Sequence, residues 1–203
     1  MKKWMTLFSL IYLTCIILLS PALAKNDAMT DLKKSIDEVI AMLKDTKKAG
    51  TPDTKTLLRQ KIFQMALEFF DFSEMSQRTL GKNWKKLKPD QQKTFSDLFA
   101  RFLANIYYNR LEQYTNQTVK YLEQRQHGKN KALVKTVIAT QNNEIPMDYK
   151  MLKNKTWQVY DVSIEGVSLV RNYRTQFNKI LRKQSIDDLF QMMKNKLGQF
   201  SDL

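Results

Sequence analysis

An α+β fold follows from the order in which the apolar period changes along the chain. From Asp31 to Tyr114 apolar residues recur at about 3.6-residue spacing, from Thr118 to Ile164 they alternate, and from Val170 to Leu197 the helical period returns. The joints inside the alternating segment are short, so its strands pair antiparallel in chain order, as a meander. In one strand Ile145, Met147, Tyr149 and Met151 point one way while Asp148 and Lys150 point the other, which gives the sheet a greasy and a wet face. The expected architecture is therefore helices packed on one face of a curved four-stranded antiparallel sheet.

The first helix buries Leu32, Ile36, Val39, Ile40 and Leu43 and ends at Gly50-Thr51-Pro52. A second starts near Asp53 or Thr54 and buries Leu58, Ile62, Met65, Ala66 and Phe69. Asp71-Phe72-Ser73-Glu74 is an acidic form of the capping box, opening a short helix that stops where Gly81 can take a left-handed conformation. Pro89-Asp90-Gln91 opens the longest helix, whose wide stripe of Phe95, Leu98, Phe99, Phe102, Leu103, Ile106, Tyr107 and Leu111 is rich in rings. Four strands follow, over 118–125, 131–140, 144–153 and 156–164, joined at His127-Gly128-Lys129-Asn130, Gln141-Asn142-Asn143 and Asn154-Lys155 by turn-forming residues. The last two helices bury Val170, Tyr173, Phe177, Ile180 and Leu181, then, behind a Ser185 cap, Leu189, Met192, Met193 and Leu197.

Residues 1–24 read as a cleavable secretory leader: Lys2 and Lys3, an apolar run from Leu7 to Leu19, then the small-residue pattern Ala22-Leu23-Ala24. The run is shorter than the roughly 18 to 20 residues that span a bilayer. Residues 25–203 form one domain, without repeats or a long linker. Cys15, the single cysteine, lies in the leader, so folding rests on apolar burial rather than disulfides. A short lysine-led leader and no disulfide framework point to a bacterial periplasm. The leader holds two of the charges behind the net +14, leaving +12. With the lysines scattered and no arginine-rich groove, anionic lipid surfaces or acidic proteins fit better as partners than nucleic acid does, and a merely solubilising face stays open.

Catalytic equipment is missing. His127 is the only histidine and sits in a lysine-rich turn, so neither a Ser-His-Asp triad nor a Cys-His pair can be assembled, and zinc lacks its usual ligands. Five scattered glycines make no phosphate-cradling loop. Asp161 and Glu165 are the one carboxylate pair that invites a hydrolase reading, and no sugar-stacking platform stands beside them. No enzyme activity, cofactor or metal is expected.

The order Asp71-Phe72, Met75, Leu80-Gly81, Trp84, Gln91, Phe95, Val134 to Thr140, Trp157-Gln158-Val159-Tyr160-Asp161-Val162, Ile164-Glu165-Gly166-Val167-Ser168 and Asn172-Tyr173-Arg174 with Phe177 resembles the MlaC family. These are the toluene-tolerance auxiliary proteins of phospholipid-transporting ABC systems. The most specific part is "DVSIEGVSLVRNYRTQF", and the likeness covers nearly all of the chain after the leader. Lys88 departs from the family, which often caps the long helix with serine or threonine. The resemblance implies a periplasmic carrier that holds a phospholipid by its acyl chains, in an apolar cavity between sheet and helices. It implies docking, without membrane integration, to an outer-membrane lipoprotein complex and an inner-membrane ABC transporter complex, and a role in outer-membrane lipid asymmetry. The other reading is a periplasmic adaptor or chaperone that binds apolar segments of polypeptides.

On the carrier reading, the candidate cavity residues are Phe99, Phe102, Leu103, Ile106, Val137, Ile145, Met147, Tyr149, Met151, Trp157, Val159, Val162, Ile164, Val167, Val170, Tyr173 and Phe177. A pocket lining and a core look alike in sequence, so about half should be ordinary core. Asp161 and Arg174 are expected to form an internal ion pair; alternatively Arg171 or Arg174 faces the lipid phosphate at the cavity mouth.

Overall fold

The computed structural model describes residues 27–48, 51–112, 117–140 and 143–198; the expected leader and the joint residues Gln141 and Asn142 lie outside them. The order is α1 (Ala28–Lys48), α2 (Pro52–Phe69), α3 (Phe72–Leu80), a 3-10 segment (Gly81–Lys86), α4 (Pro89–Glu112), β1 (Thr118–His127), β2 (Lys131–Ala139), β3 (Glu144–Lys153), β4 (Trp157–Ile164), β5 (Val167–Ser168), α5 (Leu169–Leu181) and α6 (Ile186–Gly198). The sheet is antiparallel in the order β1-β2-β3-β4-β5. It is the expected meander with one more strand. Glu165 and Gly166, at φ 50 and 80, form a two-residue hairpin turn that folds Val167 and Ser168 back onto Ile164 and Ser163. A two-residue strand is too short to show a period, so the sequence reads this turn as leading straight into a helix.

Helix starts follow local chemistry. Thr51 caps α2 with Pro52 in the first turn, slightly earlier than the periodicity suggests. The Asp71 carboxylate accepts from the Glu74 amide at 2.9 Å and caps α3. Glu74 does not reciprocate: it pairs with Arg78, while the Asp71 amide donates to Val159 O at 2.9 Å and ties the helix start to β4. At α4 the Lys88 amide donates to Gln91 Oε1 at 3.0 Å, the half of a capping box that needs no hydroxyl at position 88.

Gly81 ends α3 at φ 56, ψ −120, a conformation that a residue with a Cβ avoids. Gly81→Ala should lower the unfolding free energy by about 2 kcal/mol, read as a lower denaturant midpoint; an unchanged midpoint would show that the backbone relaxes there freely.

Among the described residues two large apolar cores result, with a small third cluster of Leu43, Ile62 and Tyr108. Phe95, Phe99 and Phe102 of α4 meet Met75 and Leu80 of α3, Val170, Tyr173 and Phe177 of α5, and Leu189, Phe190 and Met193 of α6. Its rings pack mainly edge to face, with Phe99 and Phe102 each 5.6 Å from Tyr173 between centroids. The second core lies on one face of the sheet, where Val134, Tyr149, Met151, Trp157, Val159 and Val162 meet Ala28 and Leu32 of α1.

Candidate functional site

A cavity of about 730 Å³ lies between that sheet face and α1, α2 and α4. Helix α1 contributes Ile36, Val39, Ile40 and Leu43, and α2 contributes Met65, Ala66 and Phe69. The i, i+3, i+4 spacing puts each set on one stripe. Leu103, Ala104, Tyr107 and Tyr108 of α4 form a further wall, and Val119, Ile138, Ile145, Met147, Tyr149, Trp157, Val162 and Ile164 form the floor. Polar residues gather at one end, where Asp31, Lys34, Ser35 and Glu38 of α1 stand with Glu68 of α2 and Thr156 of the β3–β4 turn. This rim is tied down: the Trp157 amide donates to Asp31 Oδ2 at 3.4 Å and Gln158 Nε2 to Glu68 O at 2.9 Å. Near Leu43, Arg59 stacks on Tyr108 at 4.4 Å and donates from Nη2 to Asn105 Oδ1 at 3.2 Å.

The β4 side chains reach the floor because the strand is bulged. Lys150 pairs with Asp161 but Met151 pairs with Val159, so Tyr160 is an extra residue. Strict alternation would put Trp157, Val159 and Asp161 on one face. The bulge instead keeps Trp157, Val159, Val162 and Ile164 on the cavity face and turns Asp161 away. Tyr160 packs against the helical core, with Arg78 over its ring at 4.3 Å.

Of the expected cavity residues, Leu103, Ile145, Met147, Tyr149, Trp157, Val162 and Ile164 line the space. Phe99, Phe102, Val170, Tyr173 and Phe177 do not, because α4 is two-sided and these rings fill its other side; Ile106 packs against the same core. Met151 and Val159 are fully buried among sheet and helix side chains and add nothing to the open surface. Val137 pairs with Pro146 while its neighbour Ile138 pairs with Ile145 on the cavity face, so Val137 points to the opposite face. Val167, after the turn, is 58% exposed. The contributions of α1 and α2 are absent from the expected set, although their apolar stripes are plain in the sequence.

Comparison with known proteins bears directly on this hollow. The model of the MlaC protein family matches residues 33–195. This chain belongs to the MlaC family. A solved structure of a phospholipid-binding protein from Ralstonia solanacearum, in complex with a phospholipid, is similar at a TM-score of 0.73 and 28% identity, over 85% of this chain and 98% of its own. The intermembrane phospholipid transport system binding protein MlaC of Haemophilus influenzae is 24% identical over 205 residues, covering 98% of this chain and 95% of that protein. As an MlaC-family fold, the arrangement is a sheet and a helical layer that part around an apolar hollow instead of packing solid.

The stretch that carries the MlaC resemblance has a structural task. Asp161, 4% exposed, does not meet Arg174. Its carboxylate accepts from Lys150 Nζ at 2.9 Å, from Ser168 Oγ at 2.8 and 2.9 Å, and from the Val170 amide at 3.2 Å. Ser168 Oγ in turn accepts from the Arg171 amide at 3.1 Å and caps α5. The acid thus sits at the positive end of α5, where bulged strand, hairpin turn and helix cap meet. Arg174 lies outside this network because its guanidinium reaches back to donate from Nε to the carbonyl of Arg78. Arg171 and Arg174 are both exposed on α5, and neither lines the cavity.

Other chemistry has little to stand on. Glu165 is an exposed turn residue, separated from the Asp161 network. Among the described residues no group of three or more His, Cys, Asp or Glu could hold a metal ion, and no helix is long and apolar enough to cross a membrane.

Proposed function

We propose that this protein is a periplasmic phospholipid carrier that moves lipid between an outer-membrane lipoprotein complex and an inner-membrane ABC transporter, in the maintenance of outer-membrane lipid asymmetry. The observation that carries the reading is the apolar cavity of about 730 Å³, in a chain of the MlaC family. Its size falls within the roughly 300 to 1,000 Å³ of ordinary ligand sites. The acyl chains lie along the floor from Trp157 toward Ile138 and Ile145, under Ile36 and Val39 of α1, Phe69 of α2 and Tyr107 of α4. The headgroup stays at the polar rim near Lys34 and Thr156. On this reading the leader directs residues 25–203 to the periplasm as one lipid-binding domain, and the protein works as a binder without turnover.

The energetics suit a carrier. Two acyl chains hold roughly 30 methylenes, and at about 0.8 kcal/mol each their transfer to water costs on the order of 20 kcal/mol. Transfer from a bilayer into an apolar cavity exchanges one hydrocarbon environment for another, so loading and unloading take place in docked complexes.

Native mass spectrometry of the purified chain from Lys25 onward tests the proposal. The expected result is co-purified phospholipid at about one per chain. An empty protein that instead binds apolar polypeptide segments would favour the adaptor or chaperone reading.

A further inference from the structure

The two hairpin turns at one end of the sheet form a lysine tip, and we infer that this tip seats the protein on anionic phospholipid headgroups with the rim of its cavity toward the bilayer. The β1–β2 turn carries Lys129 and Lys131, and the β3–β4 turn carries Lys153 and Lys155. The turns are neighbours: the Lys153 amide donates to Asn130 O at 2.8 Å, and Lys131 pairs with Leu152. Lys129, Lys131 and Lys155 are exposed, and Lys153 holds its ammonium 5.7 Å from the centre of the Trp157 ring. None of the four has an ion pair among the described residues. No acid occurs in the chain from Gln124 to Asn143 or from Tyr149 to Tyr160, so none lies within the two turns or the strand ends that flank them.

The tip adjoins the cavity, since Thr156 of the second turn and Trp157, which opens β4, belong to its lining. Acids stand beside it on α1, α2 and the start of α3. Asp31 and Asp71 are engaged by the Trp157 amide and the Asn154 side chain, while Glu38 and Glu68 border the rim. The far end of the sheet has no such cluster: its joints bring Glu144 and Glu165, and Lys120 there is paired with Glu144 at 2.7 Å. Unpaired positive charge is therefore concentrated at the tip, and an anionic surface attracts that end of the sheet the more strongly.

The composition of the tip selects the partner. Protein interfaces draw their energy from aromatic and arginine anchors and are poor in lysine. Here the exposed residues are lysine, asparagine, glutamine, glycine, histidine and threonine, and the one ring, Trp157, is buried. A headgroup layer requires no anchor; each lysine near it strengthens partitioning about fivefold. The inference rests on the carrier reading for its purpose, which is to bring the cavity rim to a lipid surface.

Sedimentation with phosphatidylcholine vesicles containing one third phosphatidylglycerol tests it. The wild-type chain should bind these vesicles at low salt, ignore pure phosphatidylcholine, and be released as the Debye length falls from about 10 Å to about 3 Å. The triple variant Lys129→Gln, Lys131→Gln, Lys155→Gln should lose about 100-fold in partitioning, three factors of about five, and keep its bound phospholipid. A control with equal charge loss elsewhere, Lys82→Gln, Lys85→Gln, Lys179→Gln, should lose less than about fivefold. Equal losses in the two variants, or a wild-type chain that ignores anionic vesicles and binds only an acidic protein, would overturn the inference. A lipid-free protein that still bound vesicles through the tip would uphold the docking and overturn the carrier reading alone.

Discussion

Replacing Ala104 by tryptophan should abolish phospholipid binding and leave the protein folded. Ala104 lies on the cavity side of α4, between Leu103 and Tyr107, and its small side chain borders open space. An indole there enters the hollow without displacing packed neighbours, so the usual overpacking cost of about 1 to 3 kcal/mol is largely avoided. The acyl chains lose the volume instead. Bound phospholipid should fall at least tenfold by mass spectrometry, with the circular dichroism spectrum and melting temperature close to wild type. Phe99→Ala is the opposite case: Phe99 is fully buried on the other side of the same helix, so the change should cost about 3 to 5 kcal/mol and leave the cavity lining intact. Full lipid occupancy in the Ala104→Trp protein would place the cargo elsewhere.

Asp161→Ala should destabilise the protein by about 3 kcal/mol without touching the cavity. The substitution strips the acceptor from the Ser168 hydroxyl and the Val170 amide, and a buried donor left unmet costs about 1 to 3 kcal/mol. Lys150 can turn to water, because its side chain is 38% exposed. For a chain of this size the change lowers the melting temperature by roughly 6 to 12 °C. Lys150→Met, which leaves the Ser168 and Val170 bonds in place, should cost less. Arg174→Ala should show no coupling to Asp161 in a double-mutant cycle. Coupling above about 1 kcal/mol would restore the ion pair that the sequence suggests.

The helices, the meander and the caps at Asp71 and Ser185 were legible because each has a local signature: a period, a turn dipeptide or a capping residue. The extra strand was not, since two residues carry no period. The ring-rich stripe of α4 shows the limit more sharply. Phe95, Phe99 and Phe102 close a core while Leu103, Ala104 and Tyr107 face the hollow, and nothing in residue type separates packing from lining. Helices α1 and α2 pose the same difficulty in reverse, their apolar stripes reading as ordinary core although they face open space. Asp161 misled for another reason. Its partner depends on a bulge at Tyr160, and a bulge has no dependable residue signature. One trace was visible: Val159 and Val162 differ in parity yet both belong to an apolar face, which an unbroken strand cannot arrange.

The central claim, that acyl chains occupy the hollow, is tested most directly by Trp157 fluorescence. Trp157 lines the cavity and Trp84 packs at the helical core, so in a Trp84→Phe chain from Lys25 onward the remaining indole reports on the hollow alone. Loading with phospholipid brominated along its acyl chains should quench that emission strongly. Emission unchanged by chain-brominated lipid that is demonstrably bound would contradict the account.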